Sequence, residues 1–364
     1  MVWRWLARNL QHERGTLMGA PLLEVKDLKV EFKRPGGVVH AVNGVNFTLE
    51  AGQSLGIVGE SGSGKSVTML SLLGLIGRTG RVVGGSAMFN GVDLVKMAPR
   101  ELQDVRGRDI AVIFQDPMTS LNPIMKIGAQ ITESMRMRKI YSAAEAKERA
   151  IELLDRVGIP QPAKRLNDYP YQFSGGMRQR VMIALALALK PKLLIADEPT
   201  TALDVTVQAQ VLDLLESLQD ETGMAMIIIT HDLGVATNYC DNLAVMYAGE
   251  IVEMTTVDRL VEHTSHPYAL GLLNSTMEIG HGKTAIQPIP GNPPSALKVH
   301  KACPFAPRCR FKSSVCQERK PELTTVEPNH LVACFHADAV VKAAQQGDDA
   351  AAEVMLNVAQ PIHA

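Results

Sequence analysis

Gly59 to Ser66 read GESGSGKS, directly after the apolar run SLGIV and directly before the helical SVTMLSLLGLIG. The spacing is G-x-x-x-x-G-K-[ST], a phosphate-cradling loop, in the strand–loop–helix context that the pattern requires. Glycines let backbone N–H groups turn inward around phosphate oxygens, and the helix start adds partial positive charge. Gly59, Ser61, Gly62, Ser63, Gly64, Lys65, Ser66 and Val67 are therefore the candidate nucleotide-binding residues. In that pattern Lys65 reaches the β- and γ-phosphates and the Ser66 hydroxyl meets Mg²⁺.

Other polar residues follow apolar runs of β type. KLLIADEP ends in Asp197 and Glu198. Asp197 suits a Mg²⁺ contact, directly or through water, and Glu198 suits the general base that polarises the attacking water. IFQDP carries Gln115, an amide able to touch Mg²⁺ and that water together, and IIITHDL carries His231, whose ring can hydrogen-bond a γ-phosphate. Singly, each is an ordinary strand-end residue. They converge because SLGIVG (54–59), IAVIF (110–114), LLIAD (193–197) and AMIIIT (225–230) are continuous apolar runs, as strands covered on both faces are. A parallel sheet gathers such strand ends in one crevice at its carboxyl edge.

From about Leu22 to Leu273, short β-type runs alternate with helical stretches, which predicts a mainly parallel sheet flanked by helices. A helical insert separates the second and third runs. There Ser142 and Glu145 form a capping box, Ile151, Leu154 and Val157 share a face, and Gly158 and Pro160 end the helix. After about residue 280 the texture changes: QPIPGNPPSALKVHKACPFAPRCR is rich in Pro and Cys, which predicts a small loop-built appendage. The final AAQQGDDAAAEV predicts a frayed helix or disorder.

A chain of 364 residues accommodates two domains, or one large domain with an appendage. At 46% hydrophobic and 21% charged it can bury a sizeable core. A net charge of −1, with no Lys/Arg block, argues against nucleic acid as the main partner. No run reaches the length of a membrane-spanning helix, and VMIALALALK (181–190) reads as a buried helix. MVWRWLARNL, interrupted by Arg4 and Arg8, is a poor signal peptide; it reads first as a disordered extension or a start assigned too early, with Met18 available, and second as an amphipathic turn or two on a membrane surface. Cys303, Cys309, Cys316 and Cys334 crowd one segment, while Cys240 stands alone as an ordinary buried thiol. Four thiolates suit zinc or an iron–sulfur cluster, and a cytosolic location disfavours disulfides. Their gaps of five, six and seventeen residues match neither the short zinc spacing nor the compact ferredoxin run.

In chain order, GESGSGKS, FQDP, FSGGMRQR, LLIADEP, TALD and ITHD resemble the motifs of the nucleotide-binding subunits of ATP-binding-cassette (ABC) transporters, over about residues 22–273. The resemblance implies an α/β fold: a phosphate-loop core sheet, an antiparallel β-subdomain, a helical subdomain at about 116–172 and, here, a small Cys-rich C-terminal appendage. It also implies that FSGGMRQR (173–180) is the signature loop, serving nucleotide held by another subunit through Ser174, Gly175 and Gly176. A Ser174 N-cap followed by two glycine N–H groups suits an anion. Asp204 of TALD would lie near the dimer seam. Phe173 stands where Leu is usual and Met177 where Gln is usual, and neither change removes a phosphate-facing position. For the adenine-stacking aromatic, Phe32 of LKVEFK is the candidate, with His40 or a non-stacking residue as the alternative.

FQDPMTSLNP (114–123), VMYAGEIVE (245–253), HPYALGLL (266–273) and IPGNPPS (289–295) resemble the oligopeptide and dipeptide import branch. In that branch a C-terminal extension with four cysteines is described with a [4Fe-4S] cluster. The resemblance therefore ranks iron–sulfur first for Cys303, Cys309, Cys316 and Cys334, zinc second and disulfides third. It implies four segments: an extension at 1–21, the ABC ATPase at 22–273, a C-terminal region with the cluster site at 274–340, and a tail at 341–364. The implied machine hydrolyses ATP with Mg²⁺ to import peptides. It contains a second ATP-binding subunit in a heterodimer, two transmembrane permease subunits and an extracytoplasmic peptide-binding protein, with this chain peripheral on the cytoplasmic face of the plasma membrane. Import of nickel or glutathione is the near alternative. A soluble ABC-type ATPase acting on nucleic acid or ribosomes is the distant one, opposed by the single cassette, the lack of a long heptad run and the lack of a basic tract. A third is a regulator whose cysteine cluster senses redox state.

Overall fold

The computed structural model describes residues 20–201, 203–276 and 289–346. Most of the N-terminal extension at 1–21 and of the tail at 341–364 thus lies outside the described residues. Two sheets organise the chain. The larger is built on four buried strands, β3 (Ser54–Val58), β6 (Ile110–Ile113), β7 (Leu193–Asp197) and β8 (Ala225–Thr230). These are the four continuous apolar runs, and together with β9 (Asn242–Tyr247) they lie parallel in the order β9-β3-β8-β7-β6. Both faces are covered, so every residue of β7 and β8 is buried. Full burial of each large aliphatic side chain here contributes roughly 1.5–3 kcal/mol.

The smaller sheet is antiparallel, in the order β2-β1-β4-β5, from β1 (Leu23–Arg34), β2 (Gly37–Leu49), β4 (Gly80–Phe89) and β5 (Val92–Asp93). Leu23, Val25, Leu28 and Val30 of β1 point to the same core that receives Leu55 and Ile57 of β3. The helical insert is present. Ser142 Oγ accepts from the Glu145 N–H while the Glu145 carboxylate accepts from the Ser142 N–H at 2.8 Å, completing the expected capping box. Its helix, Ala143–Arg156, buries Ala146, Ala150, Leu153 and Leu154, and Ile151 packs at the margin. The run at 181–190 begins in the helix Gly175–Ala186, whose Val181, Ile183 and Ala184 are fully buried.

The C-terminal region departs from a loop-built appendage. β11 (Thr324–Glu327) and β12 (His330–Val332) continue the main sheet beyond β10 (Glu250–Thr256). Glu253 of β10 fixes the junction. Its carboxylate, fully buried, accepts from the Ser265 and His266 N–H groups at 2.8 and 2.9 Å and lies 2.8 Å from His330 Nε2. A buried carboxylate survives only when its lone pairs are so occupied.

Candidate functional site

The strand ends meet as the apolar runs predict. After β3, the phosphate loop turns through Gly59 (φ +155°) and Gly64 (φ +103°) into the helix Lys65–Leu72. A Cβ on Gly59 would stand 2.2 Å from the Met246 carbonyl oxygen, and one on Gly64 2.6 Å from that of Ala41, so only glycine fits either position. Lys65 Nζ donates to the carbonyls of Gly59 and Glu60 at 2.6 and 2.9 Å. Burial pulls its ammonium below the usual lysine range, opposed by the charges of Glu198, Asp197 and Glu60. Ser63 Oγ is buried with no hydrogen-bond partner among the described residues. Ser61 and Gly62 are exposed at the loop tip, and Val67 packs against the core below.

Across the crevice, Ser66 Oγ donates to Asp197 Oδ1 at 2.8 Å. Burial raises the Asp197 carboxyl above the ordinary range despite that bond, and Glu198 adds to the rise. Glu198 follows with φ +47°, a left-handed conformation that costs a non-glycine residue about 1–3 kcal/mol. Its N–H donates to the Ile229 carbonyl of β8, which holds the turn. Both carboxylate oxygens are engaged: Gln115 Nε2 donates to Oε2 at 2.8 Å, Thr201 Oγ1 donates to Oε2 at 2.9 Å, and His231 Nδ1 lies 3.2 Å from Oε1. Thus Gln115, Glu198 and His231, 83 and 33 residues apart, form one constellation. Thr201 completes it. Its signal was present in EPTT, where a hydroxyl stands three residues after the acid.

Three further predicted features are the Ser174–Gly176 turn, Asp204 and Phe32. Ser174 caps the helix Gly175–Ala186, its Oγ accepting from the Met177 N–H at 3.3 Å. Ser174 and Gly175 are exposed, whereas Gly176 backs onto Val207, which a Cβ would meet at 2.8 Å. Asp204 caps the helix Val205–Thr222 by accepting from the Val207 N–H at 3.0 Å, and is likewise exposed. Phe32 is half-buried over Gly80 in the antiparallel sheet. The cleft beside the phosphate loop is lined instead by His40, Ala41, Asn43, Glu60, Ser61 and Lys298, among others. Of the two aromatic candidates, His40 faces that cleft.

The cysteine expectation is corrected. Cys303, Cys309, Cys316 and Cys334 do line one recess, with Pro267, Phe305, Pro321 and Phe335. All four are free thiols. Yet among the described residues no group of three or more His, Cys, Asp or Glu side chains could hold a metal ion, which removes both the iron–sulfur cluster and zinc. Burial pushes the Cys309 and Cys334 thiols up to about 12 and raises that of Cys303. Phe311 and His336 N–H groups point at Cys309 and Cys334 Sγ, each at 3.3 Å.

A glycine loop built for phosphate, opposed by a strand-end Asp–Glu pair on a parallel sheet, defines a nucleotide-hydrolysing enzyme. The family described as "ABC transporter" matches residues 42–201, and "Oligopeptide/dipeptide transporter, C-terminal region" matches residues 252–316. The oligopeptide transport ATP-binding protein OppD of Haemophilus influenzae is 52% identical over 315 residues, covering 86% of this chain and 97% of that protein. The protein of the same name from Bacillus subtilis is 52% identical over 323 residues, covering 87% and 90%. A dimeric ATP-binding cassette in a post-hydrolysis state, bound to ADP and phosphate, superposes with a TM-score of 0.58 at 29% identity, over 65% of this chain and 98% of that one. This chain belongs to the ABC transporter family, among its ATP-binding ATPase subunits of the oligopeptide transport type.

Proposed function

We propose that this chain is the ATP-hydrolysing subunit that energises import of oligopeptides across the cytoplasmic membrane. The observation that carries the reading is Glu198, held by Gln115, Thr201 and His231 at the strand edge beside the phosphate loop. In this reading Glu198 is the general base: it takes a proton as water attacks the γ-phosphorus, and ADP leaves. Gln115 and His231 fix its orientation, and Lys65 turns from the Gly59 and Glu60 carbonyls to the phosphates. Gly59, Ser61, Gly62, Ser63, Gly64, Ser66 and Val67 complete the cradle, with Phe32 or His40 at the adenine. Mg²⁺, when bound, neutralises phosphate charge. Ser66, Gln115 and Asp197 are the residues that would hold it, and the desolvated Asp197 carboxyl beside the Ser66 hydroxyl fits a cation.

The exposed Ser174 and Gly175, with the half-buried Gly176, serve the nucleotide of a second ATP-binding subunit, with Asp204 at the seam. In this reading the active unit is a pair. Two permease subunits and an extracytoplasmic peptide-binding protein complete the machine, and the chain sits peripherally on the cytoplasmic face. Among the described residues no helix is long and apolar enough to cross a membrane. The ATPase unit spans 22–273 with its helical part at about 116–172, and the C-terminal region spans 274–340. The relatives' names speak for oligopeptides and not for nickel, glutathione or ribosomes.

The test is reconstitution of the full assembly in vesicles with ATP inside and labelled oligopeptides outside, on the side of the binding protein. Peptide uptake that needs ATP and stops with Glu198→Gln supports the reading. Uptake unaffected by Glu198→Gln, or uptake of nickel or glutathione but not peptide, overturns it.

A further inference from the structure

Arg308 lies outside the ATPase motifs, between Cys303 and Cys309 in the sequence. Its side chain is only 4% exposed. Nε donates to the Pro290 carbonyl at 2.8 Å, and the two terminal nitrogens reach Glu60 Oε2 and Oε1 at 2.7 and 2.9 Å. Further contacts run to the Ile289 carbonyl and the Tyr247 hydroxyl, at 3.3 and 3.4 Å. The guanidinium also rests 5.8 Å from the Tyr247 ring and 6.0 Å from the Phe305 ring. Such a bidentate, ring-framed arginine is geometrically fixed, and lysine cannot reproduce it.

Glu60 is the second residue of the phosphate loop. Its N–H donates to the buried Tyr268 hydroxyl at 2.7 Å, and its carbonyl accepts from Lys65 Nζ. One residue therefore takes Arg308 on its side chain, Tyr268 on its N–H and Lys65 on its carbonyl. Motion of Glu60 moves the carbonyl that holds Lys65 and the N–H groups that follow. We propose that Arg308 is a positioning residue: through Glu60 it sets the phosphate loop for ATP, so that the C-terminal region tunes nucleotide affinity. The proposal rests on the reading that residues 59–66 bind ATP.

The test uses the full-length chain, with Mg·ATP affinity measured by calorimetry and steady-state hydrolysis measured in the assembled transporter. Arg308→Gln and Glu60→Gln are each expected to weaken Mg·ATP binding about tenfold, as couplings of this kind do. The double variant should be no weaker than either single one, and Arg308→Lys should fall between. KM should rise more than kcat falls. Wild-type affinity in both single variants, additive losses in the double variant, or a kcat loss at unchanged KM overturns the proposal. Should Arg308→Gln fail to fold, Glu60→Gln, altered at a side chain 28% exposed, decides it alone. Lys65→Met separates the two ideas. If it binds Mg·ATP like the wild type, the ATP reading of the loop fails, whatever Arg308 does.

Discussion

Gln115 Nε2 donates to Glu198 Oε2 at 2.8 Å, joining the ends of β6 and β7 across 83 residues of sequence. The amide belongs to the strand that leads into the helical insert, and the acid is the candidate base. Any shift of the insert that draws Gln115 away therefore changes what Glu198 can reach. Glu198→Gln keeps the shape and removes the basicity, so hydrolysis by the assembled complex should fall by roughly 10²–10⁴-fold while Mg·ATP binding persists. Single-turnover phosphate release, read beside nucleotide binding, checks this.

Lys65 carries the only ammonium in the phosphate loop, and burial already disfavours its charge. Charge-assisted hydrogen bonds contribute about 1.5–3 kcal/mol, so Lys65→Met should weaken Mg·ATP by roughly 10- to 100-fold. Calorimetric titration of the full chain measures it.

Ser174 is exposed at its helix start, and its own chain's crevice is complete without it. Ser174→Arg should therefore leave the local fold intact and cut hydrolysis by the assembled pair about 10²-fold, the loss expected when a transition-state donor is removed. A mixed pair carrying the change in one subunit reads which nucleotide is affected. The deficit should fall on the partner's.

Glu253 answers four buried donors at once, from Thr264, Ser265, His266 and His330. Glu253→Ala would leave them without an acceptor, at a cost of roughly 3–5 kcal/mol. Chemical denaturation should show the loss in full, and nucleotide binding should fail only as the fold does.

His266 is fully desolvated, and its Nδ1 accepts from the Tyr268 N–H at 3.1 Å, so the ring is neutral with its proton on Nε2. Burial lowers its folded pKa from 6.5 to about 3. A lowered folded pKa means that the unfolded chain binds the proton first as pH falls. The stabilisation is whole above about 6.5 and drains between there and about 3, by up to about 1.4 kcal/mol per pH unit. Unfolding free energies from pH 7 to 4 should slope accordingly, and His266→Gln should flatten the slope.

Much of the site was legible because it depends on short-range features. A glycine–lysine spacing fixes a loop, and uniform apolar runs fix doubly covered strands, whose ends must then converge; Gln115, Asp197, Glu198 and His231 were found on that logic alone. What stayed hidden depends on contacts over long separations. Arg308 meets Glu60 across 248 residues, and His330 meets Glu253 across 77, with no local pattern to announce either. β11 is mainly polar and β12 only three residues long, so neither presents the long apolar run that marks a core strand. Choosing between Phe32 and His40 for the adenine depends likewise on packing that no local pattern announces: Phe32 lies over Gly80, and His40 lines the cleft beside the phosphate loop. For the cysteines, residue type suggested sulfur ligands, whereas among the described residues no group of three or more side chains is arranged to hold a metal, which spacing alone does not reveal.

β12 pairs Val332 and Leu331 with Glu253 and Met254 of β10. During synthesis, β10 emerges with a row of open N–H and C=O groups and waits for residues 324–332 to leave the ribosome. Until then the nascent chain carries an uncapped sheet edge, the kind of surface that recruits a neighbouring strand. A transcript cut short before residue 324 would thus yield a chain with every motif of hydrolysis intact and a persistent tendency to aggregate.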